Sequence, residues 1–223
     1  MLAELLQTWP SAFVIKADGK YIPVDLSVNN PDVPVGATAD AFEDFLDDFV
    51  KKNTASVAYG GYLEHRNLYR RSGIFNDEES APRDIHIGLD LWAKAGTEIH
   101  AALDGKVHSF AYNVGLGNYG PTIILEHDIN GIRFYTLYGH LSVKSIEELE
   151  IGDTYKAGQV LASLGDASVN GDYAPHLHFQ IIKDIEGNFG DYPGVCSATD
   201  LDFYRSNCPD PNLLLKLNLM ESL

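Results

Sequence analysis

From about Ala58 to Lys183 the apolar residues come in short runs rich in Val, Ile, Tyr and Phe, broken by turn residues roughly every 8–15 positions. Such runs predict antiparallel β-structure. The clearest lies over 123–138, where Ile123-Ile124-Leu125 and Phe134-Tyr135-Thr136-Leu137-Tyr138 stand either side of Asn130-Gly131, a pair that tolerates the positive φ of a tight hairpin turn. Gly105, Gly152, Gly158 and Gly165 separate further short runs, as a small barrel or sandwich requires. The preceding segment follows another pattern. Phe13-Val14-Ile15 and Tyr21-Ile22-Pro23-Val24 flank the turn signal Ala17-Asp18-Gly19-Lys20, which predicts a hairpin. Thr38 then caps an amphipathic helix over 39–50 whose Asp and Glu residues form its solvated face. One helical turn is expected within 142–149, with Ser145 as its cap, and a short apolar helix over 212–219. The expected fold is mostly β: an antiparallel sandwich or barrel-like domain over 56–223, with a C-terminal tail, preceded by a small α/β extension over 1–55.

Composition narrows the function classes. The 223 residues carry 16 Lys and Arg against 32 Asp and Glu, a formal net charge of -16 that opposes nucleic acid and anionic membrane surfaces alike. No nucleic-acid or membrane partner is expected. Cys196 and Cys208 are too few for a disulfide scaffold and match no common zinc or redox spacing, so both are expected to be reduced thiols. Met1 to Phe13 lacks the basic start and apolar run of a signal peptide, and no apolar stretch approaches the roughly 18 residues that span a bilayer. The expected location is cytoplasmic, or periplasmic or secreted if an export signal has been removed.

Two stretches place histidine in strict alternation with core residues. In Asp84-Ile85-His86-Ile87-Gly88-Leu89-Asp90-Leu91-Trp92 the odd positions are all large aliphatics, so a strand would present His86 and Asp90 on its other face, with Gly88 leaving open space between them. Alone, that pair fits an ordinary surface hydrogen bond. Pro175-His176-Leu177-His178-Phe179-Gln180 repeats the pattern, with His176, His178 and Gln180 on one face. Two imidazoles and one carboxylate make up the three-protein-ligand set of an open catalytic zinc site, with a fourth position for water. His140, closing the hairpin in Tyr138-Gly139-His140-Leu141-Ser142, is a further candidate for the same pocket. His65, His100, His108 and His127 have no second ligand at matching spacing and are expected to be structural or solvated. Arg70 and Arg71 fit an exposed basic pair better than a substrate-carboxylate site, and Trp92 suits either the core or a groove wall.

Together, His86-Ile87-Gly88-Leu89-Asp90, Tyr138-Gly139-His140-Leu141-Ser142 and Pro175-His176-Leu177-His178-Phe179 resemble the lysostaphin/LytM-type zinc metallopeptidases of the duplicated hybrid motif fold. That family's pattern is HxxxD, then a His closing a TLYxHLS-like strand, then HxH. The resemblance covers about 84–183 and implies a barrel-like β-sandwich with its site in a groove on one sheet. It makes His86, Asp90 and His178 the zinc ligands, and leaves His140 and His176 unligated, to activate the metal-bound water and stabilise the oxyanion. No HExxH glutamate is present to act as the base. Two departures bear on substrate contacts: the loop Asp166 to Ala174 lacks the usual Gly-rich run, and Gln180 stands where the family commonly has Glu. Residues 59–66 and 208–214 look similar to a subgroup joined to kinase-like and aminotransferase domains, which implies fusion or partner domains.

The implied activity is that of a zinc-dependent metalloendopeptidase, cutting peptidoglycan-type or glycine-containing peptides with a metal-activated water. Two other readings suit the same residues: another zinc amide hydrolase or carboxypeptidase on a cytoplasmic substrate, and a catalytically silent metal-bound binding or activator module. The silent class is disfavoured because no ligand or catalytic histidine is lost.

Overall fold

The structure, a computed structural model, describes residues 1–68 and 81–217. Arg70 and Arg71 lie outside the described residues. The central element is a sheet in which β1 (Tyr21–Pro23), β2 (Val57–Gly60), β5 (Leu89–Trp92), β12 (His176–Ile182), β9 (Ile132–Gly139), β8 (Gly120–Ile129), β7 (Gly105–Asn113) and β10 (Thr154–Tyr155) follow one another in space. A two-stranded sheet pairs β6 (Glu98–His100) with β11 (Val160–Ser163), and a three-stranded one runs β13 (Val195–Cys196), β4 (Ile85–His86), β3 (Glu64–His65). The helices are α1 (Leu2–Thr8), α2 (Ala39–Lys52), α3 (Lys144–Glu147), α4 (Leu201–Asn207) and α5 (Asn212–Leu215). Among the described residues the sheets do not close into a barrel, and no helix is long and apolar enough to cross a membrane.

The predicted hairpin forms as β8 and β9, with Ile129 opposite Ile132 and Asn130 and Gly131 both at positive φ. Every residue of β12 is buried, because the sheet is covered on both faces. Leu177, Phe179 and Ile181 point into the larger core with Leu89, Leu91, Ile123 and Tyr138, whereas Ile182 joins Ile85, Ile87, Ile124, Leu137 and Tyr192 on the opposite side. Each such aliphatic or aromatic side chain contributes about 1.5–3 kcal/mol through burial. The face of β12 that carries His176, His178 and Gln180 is therefore walled by packed side chains and held rigidly.

The stretch from Asp84 to Trp92 differs from the single strand that its alternation predicts. It breaks at Ile87-Gly88, and β4 and β5 belong to different sheets. Ile85 and Ile87 pack in one core while Leu89 and Leu91 pack in the other, so the aliphatic series changes sides as the chain crosses between sheets. The predicted hairpin over 13–24 also does not form. Tyr21–Pro23 pairs parallel to β2, while the Val14 carbonyl accepts from the His100 N–H at 2.8 Å and the Ile15 carbonyl from the Tyr21 hydroxyl at 2.5 Å. The capped helix does form: the Thr38 hydroxyl accepts from the Ala41 N–H, and Ala39, Phe42 and Leu46 make the buried face. Ser145 lies inside α3 and bonds Ser142 and Ser163 instead of capping it. The terminal helix ends at Leu215, where it packs with Leu2 and Leu6 of α1 in the main core.

Candidate metal centre and its groove

Antiparallel register puts His178 opposite both Asp90 of β5 and Gly139 of β9, bringing the two histidine-bearing stretches together with the end of the hairpin. His86 arrives from the neighbouring small sheet. The candidate donor atoms of His86, Asp90 and His178 all lie within 4.8 Å of one another, and all three residues are buried. His86 Nε2 is 2.9 Å from His178 Nδ1 and 3.3 Å from Asp90 Oδ1, and His178 Nδ1 is 3.2 Å from the same oxygen.

The far nitrogens fix the tautomers. His86 Nδ1–H donates to the Gly61 carbonyl at 2.9 Å, and His178 Nε2–H to Gln180 Oε1 at 2.9 Å. Three lone pairs thus face one another with their protons directed elsewhere, an arrangement that a shared cation satisfies and that is repulsive without one. The space is also shaped for it: a Cβ at Gly88 would lie 2.5 Å from Cε1 and Nε2 of His178. Burial pushes the His86 imidazolium down to about 4, against the opposing pull of Asp90. Burial alone would raise the Asp90 carboxyl, but the charges of His86, Arg66 and His176 hold it well below the usual carboxylate range. A neutral His86 imidazole, an ionised Asp90 carboxylate and a second imidazole nitrogen turned toward them make a donor set that fits zinc.

His140 and His176 stand beside this set. Their rings pack 4.1 Å apart, and His176 Nε2 is 3.9 Å from Asp90 Oδ1. His140 Nδ1–H donates to the Asn170 carbonyl at 2.8 Å and His176 Nδ1–H to the Ala174 carbonyl at 2.7 Å, so both keep Nε2 as a free acceptor. Burial lowers both imidazolium pKa values, His140 well below its ordinary value, and each ring's neighbouring imidazoles push the same way. His140 also sits at φ 63, a left-handed backbone uncommon outside glycine, in a site that holds it from several sides. All five histidine and aspartate candidates line one groove, together with Tyr119 and Tyr173.

Several residues that shape this site carry no signal in the local sequence. Asn170 is fully buried, and its side chain closes the 166–174 loop by accepting from the Tyr173 N–H and donating to the Tyr173 carbonyl. The loop that departs from the Gly-rich pattern is therefore what orients His140. Arg66, in a polar stretch, is buried and donates to Asp90. Gln180 was visible in the alternation, and it takes its place as the acceptor for His178. Trp92 is buried and stacks on His176 with centroids 5.9 Å apart. His65 pairs with Asp84 at the surface, and His127 is buried between the Asp104 carbonyl and the Thr136 hydroxyl, both apart from the cluster.

Comparison with known proteins gives a family match over part of the chain. Residues 84–189 match the family described as Peptidase family M23. The peptidoglycan DD-endopeptidase ShyC of Vibrio cholerae is 35% identical over 98 residues, which is 44% of this chain and 20% of that protein. The L-Ala–D-Glu endopeptidase of Bacillus subtilis is 29% identical over 119 residues, 50% of this chain and 34% of that protein. The chain thus spans a fifth to a third of the length of these relatives. Among solved structures, the catalytic domain of lysostaphin from Staphylococcus simulans is 25% identical, covering 66% of this chain and 88% of that one at a TM-score of 0.39.

Proposed function

We propose, from the match of residues 84–189 to Peptidase family M23, that the chain is a zinc-dependent endopeptidase acting on peptidoglycan-type or glycine-containing peptides. The observation that carries this is the convergence of His86, Asp90 and His178, whose donor atoms lie within 4.8 Å of one another. The naming of one relative as a peptidoglycan DD-endopeptidase and of another as an L-Ala–D-Glu endopeptidase supports the substrate class.

In this reading His86, Asp90 and His178 hold the ion. When bound, zinc supplies a Lewis acid for the scissile carbonyl and brings the pKa of a water towards about 7. His140 and His176 do the proton work. Burial keeps both neutral near pH 7, so a free Nε2 is available to take the proton of the attacking water. The Nε2–H that this transfer creates is the proton the site then has to give, to the developing oxyanion and on to the leaving amine. The carbonyls of Asn170 and Ala174 hold the two rings in the required tautomer throughout. Residues 1–55 contain no His and no Cys, and we take them as an accessory element that adds β1 and α2 without supplying a ligand.

The test is metal analysis with digestion of purified peptidoglycan and synthetic cross-link peptides, with and without chelator. One zinc per chain is expected, with hydrolysis abolished by chelator and by His178→Ala. Unchanged zinc content in His178→Ala, or hydrolysis that survives chelation, overturns the proposal.

A further inference from the structure

We propose that Arg66 is a positioning residue for the metal centre: its guanidinium occupies Oδ2 of Asp90, so that the carboxylate offers an ion one oxygen and not two. The inference rests on the metal site proposed above and concerns how one of its ligands is presented. Arg66 follows β3 and is only 1% exposed, among the most deeply buried large side chains in the molecule. Its Nη1–H donates to Asp90 Oδ2 at 2.6 Å, while Nε–H donates to Glu64 Oε2 at 2.5 Å. The guanidinium also lies 5.6 Å over the Trp92 ring, the same ring that stacks on His176. At its outer end the clamp is tied down: Glu64 Oε1 accepts the Leu26 N–H at 3.0 Å.

The backbone is built around this group. Gly61 adopts φ +102, and a Cβ there would lie 1.8 Å from Arg66 Nη2 and 2.9 Å from His86 Nδ1. One glycine therefore makes room for the guanidinium while its carbonyl orients His86. A carboxylate has two equivalent oxygens, and an unrestrained one readily supplies both to a small cation. Here Oδ1 faces His86 and His178 at 3.3 and 3.2 Å, and Oδ2 is turned away into a charge-assisted bond. Holding Oδ2 there leaves the remaining coordination position to water and substrate. The fork geometry matters, because a planar guanidinium can hold Glu64 and Asp90 in fixed directions at once, and an ammonium is a point charge that cannot.

Cobalt(II), loaded into the metal-free full chain, reports the number of ligands directly, since its visible absorption weakens as four-coordination gives way to five. Wild type, Arg66→Lys and Arg66→Met are compared by cobalt titration and by competition with a chelator. Both variants are expected to show weaker visible bands than wild type, and a cobalt affinity reduced about 10–100-fold, the usual scale for losing a partner of a metal ligand. Arg66→Lys keeps the positive charge and so keeps the test alive if Arg66→Met does not fold. A Lys variant with the wild-type spectrum and affinity would show that charge alone suffices and overturns the proposal. Wild-type protein that develops no cobalt bands overturns the metal site itself, and Arg66's role with it. Wild-type bands that persist unchanged in the variants overturn only the role of Arg66.

Discussion

Substituting Ala for Gly88 adds one methyl group at the point where the chain passes from β4 to β5. Gly88 has an ordinary φ, so the substitution brings no left-handed backbone strain. Its effect is steric and local. The new Cβ would stand 2.5 Å from Cε1 and Nε2 of His178, against the 3.4 Å at which ordinary contact begins, leaving a shortfall of about 0.9 Å. It also meets the Phe179 carbonyl at 3.1 Å, but that oxygen belongs to a central strand paired on both sides, so the imidazole is what moves. Moving the ring that far breaks the 2.9 Å bond from His178 Nε2–H to Gln180 and shifts Nδ1 away from Asp90 and His86. Zinc affinity is expected to fall about 10–100-fold, the cost of disturbing a ligand's supporting shell. Turnover should fall by about 10²-fold, as misplacement near 1 Å commonly produces. Competition against a chelating dye measures the first quantity, hydrolysis of a cross-link peptide the second, and urea unfolding verifies that the fold persists. A folded Gly88→Ala protein that binds zinc as tightly as wild type would refute the steric argument.

His140→Ala should retain close to wild-type zinc while turnover falls on the order of 10²-fold or more, and metal loss in this variant would make His140 a ligand. Gln180→Glu keeps the acceptor for His178 but loses the N–H donated to the Pro193 carbonyl at 3.1 Å, so it should retain metal and lose about 1–3 kcal/mol of stability, read by urea denaturation; unchanged stability would refute it. His127 is held neutral by burial, its pKa lowered from 6.5 to about 4, so the unfolded chain takes up a proton that the folded one refuses as the pH falls through that window. Stability is thus intact above pH 6.5 and lost below it, and between pH 7 and 4.5 wild type should lose about 2–3 kcal/mol more than His127→Gln. Equal losses would mean that His127 does not titrate as its burial dictates.

The sequence by itself determined the elements whose signals are local. Alternation over 176–182 placed His176, His178 and Gln180 on one face of a strand, Asn130-Gly131 placed the hairpin, and Thr38 with apolar residues at helical spacing placed α2. Side-chain periodicity reports which way a residue points within its own strand, and that was enough to group the histidines. It does not report which sheet the strand joins. The crossing at Ile87-Gly88 and the parallel pairing of β1 with β2 depend on which sheet edges lie within reach once the chain is compact, and no local pattern encodes that. The same holds for Arg66 and Asn170, which lie 24 and 30 residues from the side chains they hold. A polar residue in a polar stretch looks solvated in sequence, and only tertiary packing, by burying it beside Asp90 or His140, turns its hydrogen bonds into constraints on the site.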